Sequence, residues 1–465
     1  MYVTTTIPYV NARPHLGHAL ELVQADVLAR HHRRRGEPVR FQTGTDDNSL
    51  KNVLAAEAEG LPVREFVDRN AAAFEGLREP LDLSFDAFVR TSSHPAHRAG
   101  VERIWKAVEG DLYQRHYEGL YCVGCEQFYP EGPCAEGHEA PLQTVSERNW
   151  FFRLSRYQDA LLDLIRGGGL RIEPAARRNE VLASVEAGLA DISVSRSAAR
   201  ARGWGIPVPG DPSQVVYVWW DALANYVTAL EGEEHERWWV REPDKVHLVG
   251  KGVIRFHAVY WPAMLLAAGE PPPSQIFVHD YLTVHGRKIS KSSGTAVDPV
   301  ALVDAYGVDA VRWWLLREMP RVGDADFTEE RLIARADEDL ANGVGNLVNR
   351  VSTMVHRFLD GNVPEVREEF GPGDVHGALR DFDFRRAAGA VWRLVEEANR
   401  YVERVRPWQQ AAGEREASLG VLVGACRTLA VELEPFLPTA AARVAAAVSG
   451  ERLPRPEPLF PRLAR

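Results

Sequence analysis

Long apolar runs are absent from this chain. No segment reaches the roughly 20 consecutive apolar residues that a membrane-spanning helix needs, and the opening MYVTTTIPYV lacks the basic flank and apolar stretch of a secretory leader. Both absences point to a cytoplasmic protein with no membrane partner. Cysteine is scarce, four in 465 residues, which excludes a disulfide-stapled scaffold. Lysine is scarce as well: six of the 55 basic residues are lysine, so arginine carries the generic surface charge and each lysine is informative. The formal net charge of −10 excludes a chain coated with phosphate-binding charge, such as a histone-like binder, although a local basic groove stays open. There is no low-complexity bias and no internal repeat.

What is present is the balance of an ordinary globular enzyme, 45% hydrophobic and 26% charged, in a chain long enough for two to four domains. YVTTTIPYV reads as a strand, and HLGHALELVQADVLARHHRRRG as a helix closed by Gly36. PVRFQTGTDD and LKNVLAAEAEG repeat the alternation, as in a doubly wound parallel sheet. From about Asp111 a turn-rich, cysteine-bearing insertion intervenes. The sheet is expected to return with QVVYVWWDALANYV, VHLVGKGVIRFHAVYWPAML and SQIFVHDYLTV, and beyond Asp324 only amphipathic helices remain, with GNVPEVREEFGPGD as a loop between them. The expected fold is a split, Rossmann-type α/β domain (1–110 and 211–275) interrupted by an insertion (111–210), then a connecting region (276–325) and a helical bundle (326–465).

Three clusters carry chemistry. His15-Leu16-Gly17-His18 stands where the first strand turns into its helix, at the edge where open α/β sheets bind nucleotides. Gly17 lets a base or ribose approach the backbone, while the helix N-terminus and imidazoles offer donors to phosphate oxygens. Alone, the pattern serves equally as an ordinary helix start that carries two histidines. Lys288-Ile289-Ser290-Lys291-Ser292 places two compact ammonium groups on a turn, suited to charge building on a departing pyrophosphate. With Lys251 these are half of the lysines, so a merely solvated basic loop is the weaker explanation. Finally, Cys122-x-x-Cys125, Cys134 and His138 fall within 17 residues and match a closed, tetrahedral, structural Zn2+ site. Cys426 stands alone in a helical segment and reads as core.

H-x-G-H near the start combined with K-x-S-K-S late in the chain resembles the paired signatures of class I aminoacyl-tRNA synthetases. TIPYVNARPHLGH, TGTDD, EGLYCVGCEQFY, YVWWDALANYV, GKGVIRFHAVYWPAML and GVDAVRWWLLREMP resemble, in order, blocks of the methionyl-tRNA synthetase family, over nearly the whole chain. The resemblance implies a ligase that joins an amino acid to AMP, using ATP and Mg2+, and then to tRNA, with the cysteine cluster as a zinc knuckle. It implies His15, His18, Lys288 and Lys291 as catalytic groups, joined around ATP by Gly17 and Ser290. It implies a methionine pocket of Ile7, Tyr9, Trp219, Ala222, Leu223, Tyr226, His257 and Trp261, with Asp46 taking the ammonium group. Thioether sulfur packs well against rings, although without the resemblance Trp219, Tyr226 and Trp261 read as core aromatics. It further implies that Asn346, Arg350 and Trp408 read the anticodon, by edge contacts and stacking; by themselves Asn346 and Arg350 are a solvated helix face.

Two departures stand beside this pocket. The family's D-x-H-G is here Asp46-Asp47-Asn48-Ser49, and its G-K-D is Gly250-Lys251-Gly252. A lost imidazole and a lost acid are enough to retune a substrate, since specificity rests on few contacts. The alternative expectation is therefore a paralogue that activates another amino acid for secondary metabolism, like the synthetase module of hydrazine-forming enzymes. A catalytically idle tRNA-binding protein has no need of both signatures. A monomer is the default expectation.

Overall fold

The computed structural model describes residues 1–122, 126–129, 134, 142–289 and 296–463. It divides into two compact units: Met1–Pro14, Glu37–Gly76 and Phe85–His279 form the first, and His15–Gly36, Leu77–Ser84 and Asp280–Arg465 the second.

The first unit is built on six parallel strands, β1 (Tyr2–Thr5), β2 (Arg40–Thr45), β3 (Ala87–Arg90), β4 (Arg171–Glu173), β5 (Lys245–Gly250) and β6 (Gln275–His279). Their spatial order is β3-β2-β1-β5-β6-β4. All four residues of β1 are buried, as expected of a central strand covered on both faces. Gly44 is forced by the close approach of β2 to β3, because a Cβ there would lie 2.0 Å from the Val89 carbonyl oxygen. Strand order reverses between β1 and β5, so the carboxyl ends of those two strands flank the crevice where open sheets take ligands. Thr6 and Ile7 follow one and Lys251 follows the other.

Two expectations fail here. The segment Asp211–Val216 does not rejoin the parallel sheet; it pairs antiparallel with Ser195–Ser197 and Pro207–Val208. Its first half is solvent-facing and only its second half buried, whereas a parallel strand must be covered on both faces. Conversely, the short polar Arg171–Glu173, inside the segment read as an insertion, completes the edge of the parallel sheet beside β6. That insertion also carries an antiparallel sheet of Leu112–Cys122, Gln127–Tyr129, Gln143–Phe152 and Ile192–Ser193 and the helices Gln158–Arg166 and Ala175–Glu186. Cys122 and Cys134 are buried, while Cys125 and His138 lie outside the described residues. Among the described residues no group of three metal-binding side chains converges.

Seven helices matter below: α1 (Leu16–Arg34), α2 (Leu50–Ala58), α3 (Val218–Thr228), α4 (Val308–Arg317), α5 (Asn346–Leu359), α6 (Phe384–Val405) and α7 (Ala412–Leu433). In the second unit α6 buries Ala387, Val391, Leu394, Ala398 and Val402, an apolar stripe at helical spacing. A buried ion pair explains why α1 belongs with this bundle. Arg312 of α4 donates to Asp26 of α1 (2.8 Å), to the Phe436 carbonyl beyond α7 (2.8 Å) and to the Leu81 carbonyl (2.9 Å). Burial opposes the Asp26 charge, but Arg312 and Arg30 outweigh it and hold the carboxyl below its usual range. Among the described residues, no helix is long and apolar enough to cross a membrane.

Candidate active site

Within the first unit, α3 presents Trp219, Ala222, Leu223 and Tyr226, spaced i, i+3, i+4 and i+7, along one face. These four line a small cleft with Thr6, Ile7 and His257. His257 belongs to a π-helical turn, Phe256–Tyr260, that runs into the helix Trp261–Ala268; such turns often re-aim side chains at functional sites. The His257 Nδ1 lies 3.0 Å from the Val253 carbonyl and its Nε2 2.9 Å from the Tyr226 hydroxyl, which fixes the ring. Trp219 stacks on Phe256 with centroids 3.7 Å apart and meets Tyr9 edge-on. Trp261 is fully buried behind this wall, its indole N–H donating to His247 Nε2 at 3.2 Å. Burial drives His247 far below the usual histidine range, so it stays neutral and stacks on Tyr226. The hydroxyl of Tyr9 and the indole N–H of Trp219 are buried with no protein partner among the described residues, and such groups normally find one.

Beside the aromatic wall lies an acidic floor. Asp46 bridges to Tyr9 in parallel register, and its backbone N–H donates to the Pro8 carbonyl at 2.9 Å. Burial first, then the charges of Asp221 and Glu126, hold the Asp46 carboxyl well above the usual carboxylate range. A buried acid surrounded by acids is a seat for a cation. The departures at Asn48 and Ser49 have partners here. The Asn48 amide donates to Asp221 at 2.7 Å, and His97 Nε2 contacts the other Asp221 oxygen at 2.5 Å. Ser49 caps α2 by accepting the Lys51 N–H at 3.0 Å and donates to Glu126 at 2.5 Å. The altered residues are thus built into the floor.

Within the second unit, α1 begins with a reciprocal cap made by the two histidines. His15 Nδ1 accepts the Gly17 N–H at 3.1 Å, and His18 Nδ1 accepts the His15 N–H at 3.1 Å. With both Nδ1 atoms accepting, each neutral ring carries its proton on Nε2 and serves as a donor. The rings stack with centroids 3.8 Å apart. Gly17 is required by that stack, since a Cβ would lie 2.9 Å from the His15 ring. The next N–H of α1, from Leu16, donates to the Val297 carbonyl at 2.9 Å. Val297 lies five residues past Ser292, so this backbone bond joins the start of α1 to the chain just beyond the K-x-S-K-S segment. Lys288 lies in the two-residue strand Arg287–Lys288, while Ser290 and Lys291 fall outside the described residues.

The family model described as "tRNA synthetases class I (M)" matches residues 1–138 and 133–352. The chain belongs to this family. A methionine–tRNA ligase of Brucella suis is 38% identical over 506 aligned positions, covering 99% of this chain and 97% of that protein. One of Thermosynechococcus vestitus is 41% identical, covering 94% and 87%. A structure of Mycobacterium tuberculosis methionyl-tRNA synthetase in complex with methionyl-adenylate superposes with a TM-score of 0.91 at 36% identity, covering 99% of each chain; the apo form of that enzyme gives 0.83 at 34%.

The helices that follow the sheet in sequence, from Pro299 onward, belong to the second unit. There Asn346 opens α5 and is exposed, and Arg350, one turn on, pairs with Glu403 of α6 at 2.6 Å. Trp408 is 41% exposed in the turn Pro407–Gln409, a large ring left in solvent where most tryptophans of this chain are buried. The sequence reading missed Thr6, Phe256, His247, Asp221, His97 and Glu126. Asp221 and His247 do leave a trace: each is a polar residue inside an otherwise apolar helix or strand, and both are buried.

Proposed function

We propose that this class I synthetase activates methionine with ATP and transfers it to tRNA, acting as a cytoplasmic monomer. The observation that carries the reading is the aromatic cleft beside the buried, charge-starved Asp46. Asp46 takes the substrate ammonium, while Ile7, Tyr9, Trp219, Ala222, Leu223, Tyr226, His257 and, from behind, Trp261 shape the slot for a thioether. A methionine carboxylate oxygen attacks the α-phosphorus of ATP, the bond to the β-phosphate oxygen breaks, and pyrophosphate leaves. A ribose hydroxyl of the tRNA end then attacks the carbonyl of the mixed anhydride and releases AMP. His15 and His18, with Gly17 giving access, donate to phosphate oxygens, while Lys288, Ser290 and Lys291 meet the charge that develops on the departing group. Mg2+ bound with ATP would supply further charge neutralisation at the phosphates.

Cys122, Cys125, Cys134 and His138 are our candidates for a structural Zn2+ site. Burial of Cys122 and Cys134 suits a closed thiolate site, and such an ion would stabilise the insertion rather than take part in the chemistry. We assign 1–110 and 217–279, with the edge strand Arg171–Glu173, to the catalytic domain, the rest of 111–216 to the insertion, 280–325 to the connecting region and 326–465 to anticodon recognition.

The test is ATP–pyrophosphate exchange across a full amino-acid panel. Methionine is expected to be the preferred substrate; silence with methionine beside strong exchange with another amino acid would make the chain a repurposed paralogue. For the tRNA step, Trp408→Ala is expected to weaken tRNA charging while sparing exchange, because an exposed ring that stacks on an unpaired base contributes about 1–3 kcal/mol. Unaltered charging of cognate tRNA removes Trp408 from the anticodon contact.

A further inference from the structure

Resting on methionine as the substrate, we infer that Glu126 is a positioning residue of the amino-acid site, the link through which the cysteine-bearing insertion holds Asp46 in place. Glu126 directly follows Cys125, yet it is 4% exposed and has a left-handed backbone with φ of 57°. That conformation costs a residue with a Cβ and persists only where the surroundings impose it. They impose it at both ends. The Glu126 carbonyl accepts from Arg196 at 3.3 Å, and the Arg196 guanidinium lies over the rings of Tyr217 (4.2 Å) and Tyr121 (5.5 Å). The Glu126 carboxylate takes the Ser49 hydroxyl at 2.5 Å and, more loosely, the Lys51 backbone N–H at 3.4 Å. A carboxylate at these first N–H groups of α2 answers donors that the helix leaves unsatisfied.

The same helical turn holds the substrate acid. Asn52 of α2 donates to the backbone carbonyls of Asp46 (3.0 Å) and Asp47 (2.9 Å). Glu126 therefore fixes the start of α2, the start of α2 fixes the Asp46 backbone, and Asp46 bridges to Tyr9, whose ring meets Trp219 of the cleft. Ser49 stands where the family usually has glycine, so the hydroxyl half of this link belongs to this chain's own floor. Loss of the link frees Asp46 to shift, which weakens methionine binding and leaves the ATP groups of the other unit alone.

The experiment is pyrophosphate exchange with E126A, E126Q, S49A and the double variant E126A/S49A, measuring methionine and ATP dependence separately. E126A is expected to raise KM for methionine about tenfold, with KM for ATP unchanged and kcat within a few fold. E126Q, whose amide oxygen still accepts from Ser49 and Lys51, is expected to recover most of that loss. S49A shifts methionine KM in the same direction, and the double variant is no worse than the poorer single one, because both break one link. An unchanged methionine KM in E126A overturns the inference, as does an E126Q as impaired as E126A, which would make the charge rather than the link decisive. If E126A is insoluble, S49A and E126Q decide alone: a methionine KM unmoved in S49A, or a poor E126Q, overturns it. Wild-type protein that fails to exchange with methionine sinks the substrate assignment instead, and the two failures are thereby separate.

Discussion

Asp46→Asn is expected to reduce kcat/KM for methionine by roughly 10²–10³-fold while leaving the protein as stable as before, or more so. The loss follows from removing one partner of a buried ion pair, which costs about 3–5 kcal/mol once substrate ammonium has entered the site. The stability follows from the opposite situation in the free enzyme. There the carboxyl is buried beside Asp221 and Glu126, and its affinity for a proton is held well above the ordinary value of 3.8. A carboxyl whose folded pKa is raised binds a proton more tightly in the native than in the unfolded state. Stability therefore falls as pH rises above the unfolded value, and the ionised form at neutral pH is a net cost to the fold. An uncharged amide removes that cost. Thermal unfolding and pyrophosphate exchange on the same preparation check both halves; a variant that loses activity together with stability would mean that Asp46 is structural.

The same shift gives substrate binding a pH dependence. Below the raised pKa of the free enzyme, the methionine ammonium must displace a proton from Asp46, so affinity climbs with pH and levels off above that pKa. In the asparagine variant this rise is expected to vanish.

How legible the molecule was in its sequence depended on whether local rules or distant contacts decided the outcome. The α3 face is visible as Trp219, Ala222, Leu223 and Tyr226 because helical spacing is local, and β1 is visible because its buried residues are β-branched and aromatic. The strand Asp211–Val216 is not placed by its sequence, because the apolar pair Val215-Val216 does not say which sheet will take it. Arg171–Glu173 escaped because three residues leave no periodicity, and its place beside β6 is decided about 100 residues away. The acidic floor was only half legible. Asp46 stood out within a recognised block, but nothing local connects Asn48 with Asp221, or Ser49 with Glu126; both pairs are separated by more than 70 positions and are joined by the fold. Asn48 and Ser49 therefore looked like losses, whereas each hydrogen-bonds a buried acid.

Lys291→Ala is expected to lower the maximal rate of adenylate formation by roughly 10²–10³-fold, the typical cost of removing one preorganised group from developing charge, with methionine affinity nearly unchanged. Bound ATP already carries its charge, and groups that meet it equally before and during reaction deepen binding without accelerating the step. Charge moves when the α-phosphorus becomes pentacoordinate and pyrophosphate departs, so an ammonium reaching the phosphates at that moment acts on the rate. The segment that bears Lys291 runs between the strand Arg287–Lys288 and Val297, and Val297 is pinned to Leu16 beside the two stacked histidines. The chain just past that segment thus meets the helix start proposed to bind phosphate, and the proposed amino-acid cleft is made of other residues. Stopped-flow or single-turnover measurement of adenylate formation, paired with calorimetric titration of methionine, separates the two quantities. Lys291→Arg is expected to restore only part of the rate, because a planar guanidinium fork does not reproduce a compact, freely rotating ammonium. Comparable losses in methionine affinity and in rate would place Lys291 in ground-state binding, and the division of labour between the two signatures would have to be redrawn.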